Sequence, residues 1–361
     1  MVQLTCTQYP ELQANPDISG IGVLSGFFAA AYIAFFCSIS KIVIDGWRLT
    51  IRLGGNDCPL LDRWAQSLRS AVISFGDQQL ATGFSILIAG YSQLSQGIAI
   101  YHWMSIVNLA WFSTVTHLFA LTALRHDPDI PVHNSPILIF RVVSIGILII
   151  MLMCAIYPVG YALGSYGVES KFPAWCFYHQ GVEWADEGLK HSYSSAYLVF
   201  AYFALLYGFF SRCYLLLLST HVAEALAAIA FFRGLKSPVR KLEDLISRSY
   251  GPQINNPAPI TIINRLLHAF YALLVASINL YQSKLWEVTW LSATLVWGTL
   301  RILLLQQGFE TFTSQLDIPT EVLEGQNIWG FGQVVPVVLL ALPLLSFLGE
   351  WCWKCQVLAI K

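Results

Sequence analysis

The stretch Asp77-Gln78-Gln79-Leu80-Ala81-Thr82-Gly83 runs straight into the apolar Phe84-Ser85-Ile86-Leu87-Ile88-Ala89-Gly90-Tyr91, and the rest of the chain is read from it. An acid and two amides at the point where a segment enters hydrocarbon are costly to strip of water. They are therefore expected to face other helices or a wet cavity, which makes Asp77, with Gln78 and Gln79 beside it, a candidate functional group. The competing reading is that the Asp77 carboxylate only caps a helix, accepting free first-turn N–H groups.

That segment belongs to a chain of 361 residues that is 56% hydrophobic and 11% charged. Soluble domains carry about 25% charged residues, so a multipass membrane protein is expected, in keeping with a mean hydropathy of +0.59. A formal net charge of -1 removes the case for a nucleic-acid partner, and 12 Trp suit the interfacial belts of a bilayer. The polar tail over residues 1–16 lacks the basic flank of a cleavable signal, so the first apolar run is expected to be retained. Of the 8 Cys, only Cys352 and Cys355 have metal-like spacing. With no second pair, neither a metal nor another cofactor is expected.

Crossing hydrocarbon takes about 20 apolar residues. Windows over 18–39, 80–98, 103–124, 137–159, 195–218, 260–280, 286–305 and 328–348 qualify, the sixth interrupted by Arg265 and His268. They predict an all-α fold, a polytopic membrane helix bundle of about 7–8 transmembrane helices, in one domain over 1–361. Most of the 20 basic residues then collect on one side. Lys41, Arg48, Arg52, Arg63 and Arg69 crowd the first connection, Arg125 and Arg141 bracket the third, and Arg212 to Arg265 border or fill the fifth, with Arg301 joining them. By the positive-inside rule this side is cytoplasmic. With eight spans both termini fall outside; with a re-entrant sixth segment, or with 223–232 dipping into the membrane, the count becomes seven or nine. The tail 1–17 and the loop 160–194 are external, and 219–259 is a cytoplasmic loop. Cys6 and Cys176 share the outer side, where an oxidising lumen permits them to pair.

The polar residues of the spans sort into two shelves. The inner one holds Asp77, Gln78, Gln79, His117, Arg141, Arg265, His268 and Arg301; the outer one holds Asp17, His102, Glu183, Asp186 and Glu287. The inner shelf has a catalytic reading, with Asp77 kept protonated by burial and His117 as its partner or base. It also has a structural reading, with Asp77 neutralised by Arg141 or Arg301 and His117 bonded to a backbone carbonyl. Asp17 precedes the first span as a natural N-cap. Gly20-Ile21-Gly22 with Ser25 and Gly26 points to close helix packing. No phosphate-cradling glycine loop, HExxH, acidic metal cluster or GxSxG occurs, so the usual parts for nucleotide hydrolysis, zinc proteolysis and serine hydrolysis are missing.

Several blocks taken together resemble a large family of fungal multipass membrane proteins: Asn15-Pro16-Asp17-Ile18-Ser19-Gly20-Ile21-Gly22-Val23, Asp77-Gln78-Gln79-Leu80, Tyr101-His102-Trp103, the run from Leu109 to Leu118, and Trp329-Gly330-Phe331-Gly332-Gln333-Val334-Val335-Pro336. Some members look similar to the membrane-bound terpene cyclases of ascochlorin and ascofuranone meroterpenoid pathways. The resemblance implies a metal-independent isomerase that closes an epoxidised prenyl chain on a hydrophobic, prenylated small molecule taken from the lipid bilayer. An acid protonates the epoxide, aromatic faces stabilise the cation and a base ends the reaction. Chemistry and depth nominate Asp77 as acid and His117 as base, with Gln78, Gln79, Trp103, Trp111 and Arg141 as binding residues, and Phe112 and Tyr91 as further wall candidates. The location is the endoplasmic reticulum or the plasma membrane. A receptor, channel or transporter, or a scaffold in a biosynthetic complex, is the alternative. No inverted halves favour transport, and a chain ending outside does not favour signalling.

Overall fold

The computed structural model describes residue 6 and residues 11–55, 58–125, 136–164, 170–178, 195–217, 284–307 and 318–359. The fold is all-α: α1 (Pro16–Ser19), α2 (Ile21–Leu53), α3 (Pro59–Leu94), α4 (Ile100–Arg125), α5 (Pro136–Gly164), a 3-10 turn (Ala174–Tyr178), α6 (Ser195–Leu217), α7 (Lys284–Gln306), α8 (Thr320–Gly325), α9 (Phe331–Leu339) and α10 (Ala341–Ala359). Among the described residues six segments are long and apolar enough to span: Pro16–Leu53, Ile100–Leu124, Pro136–Gly160, Ala196–Cys213, Trp286–Gln306 and Phe331–Trp353. They fit an integral membrane protein. The long helix α3 packs among them as a seventh.

Helix α4 is the axis. Its whole span is buried inside the protein, and α2, α3, α5, α6 and α7 all pack on it. Closest is α3, where Gly76, Gly83 and Gly90 recur every seven residues. A Cβ on each would stand 2.5 Å from Ala120 Cβ, 2.7 Å from Ser113 Cβ and 2.9 Å from an Ile106 methyl. A seven-residue repeat keeps one stripe of a helix against its partner, and missing side chains let the backbones approach where lipid supplies no hydrophobic drive.

Two expectations are corrected, the first of them about the first connection. The basic residues Lys41, Arg48, Arg52, Arg63 and Arg69 are not in a loop, because α2 continues to Leu53 and α3 begins at Pro59, well before the expected 80. Acidic residues interleaved with the basic ones allow this. Lys41 Nζ donates to Asp45 at 2.7 Å, Arg48 to Asp45 at 3.2 Å and to Asp62 at 2.6 Å, and Arg52 to Asp62 at 3.3 Å. Their charges are matched along and between the two helix ends, so the helices extend through a stretch that charge alone reads as loop.

The direction of α7 is the other correction. Trp286 Nε1, at the start of α7, donates to Tyr207 Oη just past the middle of α6 (2.6 Å) and Glu287 O accepts from Arg212 further along it (3.5 Å), while Arg301 lies 5.1 Å over the Tyr197 ring at the start of α6. Consecutive described helices α6 and α7 are therefore antiparallel, which an eight-span count with one crossing between them does not accommodate. The sixth expected span, 260–280, and the stretch 223–232 lie outside the described residues, as do 219–259, Arg265, His268, Glu183 and Asp186. Glu287 consequently sits at the basic end of the bundle and Arg301 at the opposite end, the reverse of the expected depths. The last helix also ends at the basic end, where Arg63 lies 5.2 Å over Trp351 and Trp64 packs 4.9 Å from it. The N-terminal segment and the end of α10 thus lie at opposite ends of the bundle.

At the N-terminal end, Cys6 and Cys176 form a disulfide with Cα atoms 6.0 Å apart. It fastens the segment before α1 to the 3-10 turn, which is itself held to the start of α4 by Ile100 N–H to Phe172 O (2.7 Å) and Ala174 N–H to Ile98 O (2.9 Å). Replacing Cys6 with Ser should cost about 2–5 kcal/mol. Thermal unfolding of both forms in the same detergent measures it, and an unchanged midpoint would show that the bond carries no stability.

Proline chemistry shapes α5. Pro158 lacks the N–H that would bond Cys154 O, and that carbonyl instead accepts from Tyr178 Oη at 2.9 Å. Tyr91 and Tyr202 hydroxyls donate to Met151 O and Met153 O beside it (2.7 and 3.1 Å). Helices α3 and α6 and the 3-10 turn are thereby pinned to one face of α5.

Candidate functional site

Of the inner-shelf residues, Asp77, Gln78, Gln79, His117 and Arg141 come together, in the structural arrangement. Arg141, from the first turns of α5, holds Asp77 on α3 with two parallel bonds, Nε to Oδ1 at 2.7 Å and Nη2 to Oδ2 at 2.5 Å. Both carboxylate oxygens accept from a fork of charged donors. The pair is not sealed, since the Asp77 side chain is 44% exposed and Arg141 19%. His117 lies behind it on α4, fully buried, with Nδ1 3.1 Å from Gly76 O and Nε2 buried without a partner among the described residues. It ties α4 to α3 at the first rung of the glycine ladder.

Gln79 points inward and accepts from Ser113 Oγ at 3.1 Å, whereas the Gln78 side-chain oxygen is buried without a partner among the described residues. The aromatic candidates belong to the core. Trp103 Nε1 donates to Ala155 O and Trp111 Nε1 to Thr294 O, each at 2.9 Å, so the two indoles stitch α4 to α5 and to α7. Phe112 is fully buried, and Tyr91 sets its ring edge against Trp103.

Asp77 also lines a half-open cavity of about 450 Å³ between α3 and α10. One face of α3 supplies Gln66, Arg69, Ser70 and Ser74 below Asp77, and α10 supplies Ser346 and Glu350. Spacings of three, four, seven and eight residues put these α3 groups on one side of the helix. Ser346 Oγ to Ser74 Oγ (3.2 Å) joins the walls, and the aromatic cluster of Trp64, Phe347 and Trp351 closes the basic end. Among the described residues Glu350 makes no side-chain hydrogen bond or ion pair. The cavity therefore offers one engaged carboxylate, one open carboxylate, the Arg69 guanidinium and several neutral hydrogen-bonding groups, in a volume suited to a drug-sized molecule. Glu350 is a site residue that sequence reading missed, because it lies just before the tryptophans of a terminal helix. The usable signal was its isolation in the otherwise uncharged run from Ile328 to Trp353.

Asp17 and His102 of the outer shelf belong to a second polar centre, built around Gln333. Gln333, with no exposed surface, accepts from Gly22 N–H at 2.8 Å and donates to Gln326 O at 3.3 Å and Ile328 O at 2.6 Å. Tyr101 Oη donates to Gln326 Oε1 at 3.1 Å, and His102 bridges Ser19 Oγ (3.2 Å) and Gln13 O (2.8 Å). Asp17 does not cap its own helix. Asn15 takes the N-cap position of α1 without a side-chain bond, and the Asp17 carboxylate lies against Gly332 in the first turn of α9. There it faces the positive end of the α9 dipole. A Cβ on Gly20 or Gly22 would stand 2.6 Å from Gln333 side-chain atoms, and one on Gly26 would stand 2.6 Å from Pro336, which is the close packing expected of those glycines. The first and last of the blocks quoted from the sequence are thus two halves of one joint.

No family model matches the chain, and no solved structure matches it. Among curated proteins it is similar to Elsinochromes biosynthesis cluster protein HP3 of Elsinoe fawcettii, 32% identical over 116 residues, which make up 28% of this chain and 44% of that protein. The chain therefore spans less than half the length of the curated relative it matches.

Proposed function

We propose that this protein is an integral-membrane component of fungal secondary-metabolite biosynthesis, and that it closes an epoxidised prenyl chain by acid-triggered, metal-independent carbocation chemistry. The relative named for the elsinochromes cluster supports the pathway class, and the likeness to meroterpenoid cyclases supports the reaction. The observation that carries it is the half-open cavity between α3 and α10, which brings two carboxyl groups together. The sequence reading gives the acid role to Asp77. Because both Asp77 oxygens accept from Arg141, the proposal assigns proton donation to Glu350. It keeps Asp77, held by Arg141, as the group that positions the oxygenated end of the substrate. His117 supports that position from behind, and Gln78, Gln79, Trp103 and Trp111 hold the helices that frame it. The endoplasmic reticulum or the plasma membrane is the location this reading implies.

Microsomes carrying the protein should convert a farnesyl-phenol terminal epoxide to a cyclic isomer of unchanged mass. Glu350→Gln should slow conversion at least about 100-fold, the lower range for loss of a general acid, with normal accumulation in the membrane. Unaltered turnover by Glu350→Gln would remove it as the acid, and no conversion by the wild-type protein would remove the cyclase reading.

A signalling role is the second reading, favoured by one observation: among the described residues, the first and last helices open and close at opposite ends of the bundle. It predicts saturable ligand binding without chemical change in the ligand.

A further inference from the structure

Helix α10 is held on one side only. From Ala341 to Trp353 Pro343 alone is buried, while Leu342, Leu344, Leu345, Leu348 and Trp353 are each at least half exposed. The segment Phe331–Trp353 is 11% buried, the least of the six candidate spans. A stripe at helical spacing, Ser346, Phe347, Glu350 and Trp351, faces α3. Helix α9 is fixed elsewhere. It packs on α1 and α2, where Gln333 bonds Gly22 N–H and Pro336 fills the space beside Gly26. Between the two helices the backbone is interrupted at Leu340. Pro336 and Pro343 lack the N–H groups that would bond Gly332 O and Leu339 O, so one rung of the ladder is missing before the break and one across it. Such prolines are where long helices bend.

We infer that α10 is a gate, hinged at Leu340, that closes the cavity against α3. Among the described residues its closed position is held by slight contacts. Ser346 Oγ donates to Ser74 Oγ at 3.2 Å and Ser70 Oγ to Ser346 O at 3.5 Å, and near the basic end Trp351 packs on Trp64 with Arg63 over its ring. Neutral hydroxyls and a partly exposed aromatic contact release well before the buried α3–α4 seam does. The two carboxyl groups of the cavity lie on opposite sides of this joint. Asp77 stays on α3, held by Arg141 of α5, whereas Glu350 travels with α10. Glu350 stands ten residues past Leu340, so a bend of about 20° on a lever of about 15 Å moves it by about 5 Å. Closing therefore assembles the site, and opening takes it apart while widening its mouth. A molecule that touches both walls favours the closed form, because only that form offers both sets of contacts. The gate works alike for an occupant that is chemically changed and for one that is only bound, so it goes beyond the proposed function and rests on neither reading of it.

Distances test it with no ligand present. The full chain in nanodiscs carries spin labels on ketone-bearing unnatural residues, which leaves its cysteines in place, and dipolar spectroscopy reads the separation of each pair. One sample is labelled at Phe210, exposed on α6, and at Gly349, whose Cβ would meet nothing within 4 Å; the other is labelled at Phe210 and at Val334, exposed on α9. The Gly349 pair should show two distances about 5 Å apart, as the lever requires, and the Val334 pair a single one. Trp351→Ala, which removes the contact near the basic end, should raise the open population at least about twofold, the lower range for an aromatic pair. Ser74→Cys with Ser346→Cys, oxidised by copper–phenanthroline in air, should leave the Gly349 pair with the closed distance alone. A single distance for both pairs overturns the gate. So do two Gly349 distances that survive the cross-link, or an open population indifferent to Trp351→Ala. Because no substrate is present, this result and the epoxide assay fail separately.

Discussion

Gln333→Ala should be among the most damaging single substitutions in the chain, with an expected loss of about 3–6 kcal/mol. Gly22 N–H is one of the first N–H groups of α2, which have no carbonyl of their own helix to bond, and the Gln333 side chain is its partner. The same amide satisfies Gln326 O and Ile328 O. Alanine orphans two buried groups and one part-buried carbonyl, a buried group costing about 1–3 kcal/mol when left unpaired, and opens a void beside Gly20 and Gly22, which have no side chains to close it. Gln333→Met keeps the volume and removes only the polarity, so it separates the two terms. Unfolding midpoints in one detergent should fall for both variants, further for alanine. A methionine variant as stable as the parent would show that the amide fills space and nothing more.

Arg212→Leu should cost a similar amount, about 3–5 kcal/mol, the range for removing one partner from a buried charged network. Arg212 is 1% exposed and donates to Thr122 Oγ1 at 2.9 Å, Gly208 O at 2.8 Å, Ser211 Oγ at 3.3 Å and Glu287 O at 3.5 Å, so one guanidinium joins α4, α6 and α7. Glu287, 4% exposed, stays behind at that end of the bundle. Arg212→Lys should recover only part of the loss, because a single ammonium does not span the same fork of partners. Arg141→Leu offers the contrast. Its partner Asp77 is 44% exposed, and an open pair of this kind is worth about 1 kcal/mol or less. If the two arginine variants accumulate in membranes to equal extents, the ranking by burial is wrong.

The helical class and most of the bundle could be read in the sequence, because runs near 20 apolar residues have one economical structure in lipid. What escaped was carried by pairings. Charges at Lys41, Arg48 and Arg52 read as loop until Asp45 and Asp62 are seen to match them. The depth of Arg301 and Glu287 depends on the direction of α7, which hydropathy counting infers from the number of crossings before it, so an eight-span count inverted both, whereas a count of seven or nine does not. At the inner shelf the sequence posed two arrangements for Asp77 and His117. The bidentate bond to Arg141 and the contact with Gly76 O match the structural one, a choice fixed by which helices are neighbours and therefore absent from any local pattern. Glycines at 76, 83 and 90 went unread as a seven-residue repeat, because only Ala120, Ser113 and Ile106 opposite them give the spacing a meaning.

The enclosure of α4 bears on how the chain is made. Ser105, Asn108, Ser113, Thr114, Thr116 and His117 are all buried along this helix, and each is tolerable only where protein surrounds it. During synthesis α4 emerges after α3 and before α5, α6 and α7 exist to cover it. The glycine ladder gives it one immediate companion, so the two helices should leave the insertion machinery as a pair, with the polar flank of α4 still unshielded until later helices arrive. Nascent chains cut short after α4 should therefore linger at the translocon or recruit intramembrane chaperones, and chains extended through α7 should be released. The helix with least contact with lipid in the finished protein would then set the pace of its assembly.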